Sequence, residues 1–121
     1  MSSPKWEAAA AESAEHADIP AQIADEAKAI VAGARRKKYG SPERNFTRIA
    51  VLWNAYLTNL GIIDGVSRRL HPEDVSMLML LMKMARLTET VDHRDSIVDL
   101  AGYALTYADC VLSDNETESE D

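Results

Sequence analysis

Residues 72–109 read PEDVSMLMLLMKMARLTETVDHRDSIVDLAGYALTYAD, and this stretch decides the fold. Its first half is apolar on nearly every side, at Val75, Met77, Leu78, Met79, Leu80, Leu81, Met82 and Met84. Its second half carries an i, i+3, i+7 seam through Val98, Ala101, Leu105, Ala108 and Leu112. Both halves therefore read as helices, at 72–88 and 91–112. The short link Thr88-Glu89-Thr90-Val91 folds them antiparallel.

Charges inside so apolar a hairpin need a reason. Lys83 and Arg86 lie three apart, Asp95 and Asp99 four apart, so each pair projects from one helix face. A turn centred near Glu89 sets Arg86 against Asp92, Lys83 against Asp95, and Asp99 against Met79. That arithmetic leaves Asp99 without a cation in the hairpin. Two readings follow. In one, the charges are an interhelical ion-pair network, Arg86 with Asp92 or Asp95 and Lys83 with Asp95 or Asp99, that fixes register and adds little net stability. In the other, Asp95, Asp99 and a third carboxylate such as Glu73 or Asp74 hold a magnesium ion, a hard cation suited to oxygen ligands. Lys83 and Arg86 would then neutralise phosphate oxygens, with Arg36 or Arg44 reaching in. Gly102 beside this face would admit a base or a neighbouring helix.

Working outward, residues 42–60 form a helix with an apolar stripe at Phe46, Ile49, Ala50, Trp53, Leu57 and Leu60. Gly40 is a left-handed stop, Ser41 the cap and Pro42 the first helical residue. Upstream, residues 19–37 form a helix capped by Asp18, with Ile23, Ala27, Ile30 and Ala34 on one face. It ends in Arg35-Arg36-Lys37-Lys38, either a solvated helix end or an electropositive lip for phosphate. Between residues 61 and 70 a loop carries Gly65, Arg68 and Arg69. The expected packing joins the 42–60 stripe to the hairpin through Trp53, Phe46, Met82 and Leu105. Residues 1–18 read as a mobile arm and 114–121 as a disordered acidic tail, leaving 19–113 as the helical domain.

Composition agrees with an all-α fold: 46% of residues are hydrophobic and only 6% aromatic, with five glycines and four prolines at boundaries. The net charge of −7 comes from the ends, because residues 21–113 hold 11 acids against 12 bases. Nucleic-acid binding is therefore disfavoured. The single cysteine, Cys110, excludes an intrachain disulfide and reads as packing. No span of membrane length or signal peptide appears, which points to the cytoplasm. No zinc-ligand spacing, phosphate loop or Ser-His-Asp arrangement is present. The apolar girth of the 72–88 helix calls for a dimer or larger homo-oligomer built on helices 42–60 and 72–88.

The segments RRKKYGSPERNFTRIAVLWNAYL, EDVSMLMLLMKMARL and RDSIVDLAGYAL resemble a family of small phage and prophage proteins. That family is similar to the MazG-like nucleoside triphosphate pyrophosphohydrolases and to nucleotide-modification-associated domains. The resemblance covers about residues 21–110 and rests on Tyr39-Gly40, Asn45-Phe46, Trp53, Lys83, Arg86, Asp95, Asp99 and Gly102-Tyr103. It implies a four-helix MazG-like bundle, usually oligomeric, that binds magnesium and a nucleotide in a bacterial host's cytoplasm. It also implies Lys83, Arg86, Arg36, Asn45 and Tyr103 as ligand contacts, and Asp95, Asp99 and Asp74 as metal ligands. The chain departs from the enzymes in one respect. They carry an ExxE pair on one helix and ExxD on the next; here Asp95-x-x-x-Asp99 stands on the last helix and no ExxE on the two before it. Glu12-x-x-Glu15 has the spacing but precedes the bundle. Three functions are consistent with this pattern: a pyrophosphohydrolase, a binding protein that sequesters a nucleotide or nucleotide signal, and an interaction protein with a structural charge cluster.

Overall fold

A computed structural model describes residues 18–33 and 40–120, with side chains to residue 113. Four helices make up this body: α1 Asp18–Ala32, α2 Pro42–Asn59, α3 Pro72–Glu89 and α4 Arg94–Glu120. No strand occurs among the described residues, as the helical periodicities require.

Local chemistry accounts for the boundaries. The Ser41 hydroxyl accepts from the Arg44 N–H at 3.2 Å, Pro42 opens α2, and Gly40 has φ +85°. At the far end of α2, Ile62 N–H reaches back to the Leu57 carbonyl at 3.0 Å around Gly61, closing the helix in the left-handed manner glycine favours. Gly33 follows α1, where the reading carried the helix to Lys37. Glycine is a poor helix former, and residues 34–39 lie outside the described part. The last helix starts three residues later than expected because His93 caps it: its Nδ1 accepts from the Ser96 N–H at 3.3 Å. It continues to Glu120 rather than ending near Leu112, through a segment without glycine or proline.

The α3–α4 hairpin is the most extensive interface, and α4 also packs against α1 and α2. Phe46, Ala50, Val75 and Cys110 form the core cluster, with Ile49, Trp53, Met79 and Tyr103 against it. Trp53 and Phe46 thus pack as expected. Met82 and Leu105 do not; they are 45% and 40% exposed, on the outer sides of their helices. Cys110 is buried packing, as read.

The hairpin register differs from the simple arithmetic. Lys83 pairs with Asp99 and Ser76 with Thr106, residues lying eight and fifteen positions either side of Val91. The pivot is therefore Val91, not Glu89, because α3 runs to Glu89 and a turn of residues 90–93 follows. Moving the pivot by two residues shifts every cross-helix partner by four, about one helical turn. At the buried end of this register, the Ser76 hydroxyl lies 2.6 Å from the Tyr103 carbonyl oxygen and 2.7 Å from Thr106 Oγ1, while Thr106 donates to the same carbonyl at 2.9 Å. These small residues let α3 and α4 approach with their polar atoms satisfied.

Asn54 ties the loop back to α2. Its Nδ2 donates to the Leu70 carbonyl at 2.9 Å and its Oδ1 accepts the Leu70 N–H at 2.7 Å. Within the loop, Asp64 accepts from the Ser67 hydroxyl and from the Val66 and Arg68 N–H groups, the latter two at 2.8 Å. No helix of the described residues is long and apolar enough to cross a membrane.

Candidate functional site

One pocket forms where α1, the start of α2 and α4 meet, with about 530 Å³ of space including its open mouth. Ile30 and Val31 come from α1, and Gly40, Pro42, Asn45 and Phe46 from the start of α2. Val98, Asp99, Gly102, Tyr103 and Thr106 come from α4. The cavity proper is about 50 Å³, and the walls are mainly apolar with few polar groups, the usual composition of small-molecule sites. Phe46 and Tyr103 form the aromatic part, with ring centroids 6.3 Å apart and planes tilted by 33°.

The α2 cap places Asn45 here, since Ser41 and Pro42 set where the helix begins. The Asn45 amide has no hydrogen-bond partner among the described residues. Gly102 is buried, and a Cβ there would meet Val31 Cγ2 at 3.8 Å, an ordinary contact. The close neighbour expected at Gly102 is thus helix α1.

Asp99 is the charged member of the lining. Its Oδ2 receives Lys83 Nζ at 2.9 Å, with the lysine side chain 13% exposed and the aspartate 34%. This overturns the facing arithmetic, which left Asp99 without a cation in the hairpin and set Lys83 against Asp95; it is the Lys83–Asp99 pair that the ion-pair network allowed. Lys83 serves Asp99. Arg86, Asp92 and Asp95 are exposed, and neither expected pair, Arg86–Asp92 or Lys83–Asp95, forms.

The implied metal ligands do not assemble. Asp74 lies in the first turn of α3, where its carboxylate accepts the His71 N–H at 2.8 Å and so caps the helix. Asp95 sits at the other end of the hairpin, about 20 Å away along the helix axis by residue rise. Among the described residues, no three His, Cys, Asp or Glu side chains group so as to hold a metal ion. The donor set does not fit a magnesium ion carried by Asp74, Asp95 and Asp99.

Asn45, Asp99 and Tyr103 are thus the predicted site residues that the fold brings to one pocket. Arg36 lies outside the described residues. Val31, Val98 and Thr106 were not read as site residues; their one signal is that Thr106 is polar inside the α4 seam. Asn54 and Ser76 were missed as structural clamps. Each is a polar residue within an apolar helical stretch, the pattern that marks a specific buried bond.

Similarity to known proteins supports part of the expected kinship. The chain is 43% identical over 82 residues to the Gene 55 protein of Mycobacterium phage D29, covering 68% of this chain and 48% of that protein. It is 41% identical over 78 residues to the Gene 55 protein of Mycobacterium phage L5, covering 64% and 45%. The chain thus spans about half the length of these relatives. No solved structure matches. Residues 22–111, a span that includes parts of all four helices, match the domain of unknown function DUF6378, and the chain belongs to that family.

Proposed function

We propose that this domain binds a nucleotide or nucleotide-like small molecule in the α1–α2–α4 pocket, without hydrolysing it. One observation carries the reading: an amide without a partner, Asn45, shares an otherwise apolar, aromatic-lined pocket with the Asp99 carboxylate. Apolar walls with a few hydrogen-bonding groups suit a heterocyclic base. Two acidic pairs on facing helices would support metal-assisted hydrolysis, and the scattered positions of Asp74 and Asp95 do not supply them.

The test is a thermal-shift and calorimetric panel of nucleoside triphosphates and diphosphates on the full chain, with and without magnesium. Binding should stabilise the fold in proportion to ligand concentration. Asn45→Ala should weaken it at least tenfold, with no pyrophosphate released. Magnesium-dependent pyrophosphate release would replace this reading with the pyrophosphohydrolase one; the absence of any nucleotide response would defeat both.

A second copy of the chain is proposed as the occupant of the outer face of α2 and α3. Trp53, Tyr56, Leu57, Leu70 and Leu78 line an apolar groove there, and Leu52, Tyr56 and Leu78 are 70%, 64% and 43% exposed. Faces of this apolar character are typical of permanent homodimers. Light scattering should give at least twice the monomer mass at micromolar concentration, and Leu52→Glu with Leu78→Glu should return it to one.

A further inference from the structure

We infer that the pocket selects a base presenting two adjacent N–H donors, of which guanine is the common natural example. The inference rests on the nucleotide reading above and adds its specificity. Lys83 takes one acceptor site of Asp99 Oδ2, and the carboxylate forms no other bond among the described residues, so Oδ1 and the second lone pair of Oδ2 remain to accept. A carboxylate is an acceptor on both oxygens and takes paired N–H groups in a bidentate fashion, as it does with arginine. The N1–H and exocyclic N2–H of guanine present such a pair. Adenine and cytosine offer one exocyclic amine beside a ring acceptor, which a carboxylate repels.

Charge balance favours a neutral group over a cation or a phosphate. Lys83 already compensates Asp99, so an arginine-like cation would gain only a shared anion. Among the described residues, no lysine or arginine lines the pocket to receive a phosphate. Asn45 complements the base edge, because its amide can donate to a lactam oxygen such as guanine O6. Phe46 and Tyr103 then supply apolar contact for the ring.

Calorimetry on the full chain with the triphosphates of guanosine, inosine, adenosine and xanthosine tests this. Inosine lacks only the N2 amine and xanthosine replaces it with a carbonyl. The guanosine form should bind at least tenfold more tightly than the other three. The Asp99→Asn change is made together with Lys83→Met, so that no lysine is left without its counter-ion. In that variant the guanosine form should weaken at least tenfold and the xanthosine form should gain relative to it, since an amide can donate to the new carbonyl. Equal affinity for all four, or a preference for adenosine, would overturn the inference and leave nucleotide binding standing. A wild-type guanosine preference that the double variant keeps unchanged would also overturn it. Binding of none would remove the nucleotide reading and this inference with it.

Discussion

Lys83 Nζ stands 2.9 Å from Asp99 Oδ2, joining the middle of α3 to the pocket-lining face of α4. The pair occupies the same interhelical register as the Ser76–Thr106 contact, so one ion pair and one hydroxyl cluster hold the hairpin at two heights. The lysine is largely hidden and the aspartate about one-third exposed, between a surface pair and a buried one.

Lys83→Ala should therefore destabilise the fold by about 1–3 kcal/mol, more than a surface pair and less than a fully buried one. Lys83→Met together with Asp99→Asn should recover part of that loss, because neither charge is then left alone. Urea denaturation of Lys83→Met, Asp99→Asn and the double variant measures the coupling. Additive losses would mean that the two side chains do not interact in solution.

Ser76 is fully buried between α3 and α4, with its hydroxyl against the Tyr103 carbonyl and Thr106. Ser76→Ala should cost about 1 kcal/mol, since Thr106 continues to satisfy the carbonyl. Ser76→Leu should cost about 1–3 kcal/mol or more by forcing the helices apart. The order alanine before leucine in denaturation midpoint is the readout, and a reversal would contradict the close packing.

Asn54 holds both polar groups of the Leu70 backbone. Asn54→Ala should free them and cost about 1–3 kcal/mol, with faster amide exchange at Leu70 and unchanged exchange in the middle of α4. Asn54→Asp should retain the bond from the Leu70 N–H but set a carboxylate against the Leu70 carbonyl, and so recover only part of the loss.

The Asp64 carboxyl is held down to about 2 from its ordinary 3.8, first by the Ser67 hydroxyl and then by the Arg68 and Val66 N–H groups. Its folded value is the lower one, so its contribution to loop order is complete above about pH 4. That contribution fades as the pH falls towards 2 and the group protonates. Amide exchange at Val66 and Arg68 should accelerate over that window in the wild type. In Asp64→Ala it should already be fast at neutral pH, apart from the ordinary pH dependence of exchange. Equal protection in the two proteins at pH 6 would show that the side chain does not order the loop.

Gly65 has φ +77°, and a Cβ there would lie 2.8 Å from Thr58 Oγ1. Gly65→Ala should destabilise by about 1–2 kcal/mol, from the left-handed backbone and the contact together. Adding Thr58→Ala should relieve only the contact, leaving the backbone strain, which thermal unfolding of the pair would separate.

The helices themselves were legible in the sequence. Ser41-Pro42, Gly40, Gly61 and Pro72 are local signals, and each acts within a few residues of the boundary it sets. The apolar stripe of 42–60 likewise named Phe46 and Trp53 as core, because periodicity reports which side of a helix faces inward. It could not say which turn of α4 lies beside which turn of α3. A helical stripe looks much the same after a slide of one turn, so apolar patterning tolerates either pivot. The tertiary structure chose Val91, through the length of α3, the His93 cap and the polar triangle of Ser76, Thr106 and the Tyr103 carbonyl. That choice gave Asp99 its lysine, left Asp95 in solvent and separated Asp74 from both. It also brought Asn45 into the same pocket as Asp99, 54 residues further along the chain, a meeting that three-dimensional packing alone decides.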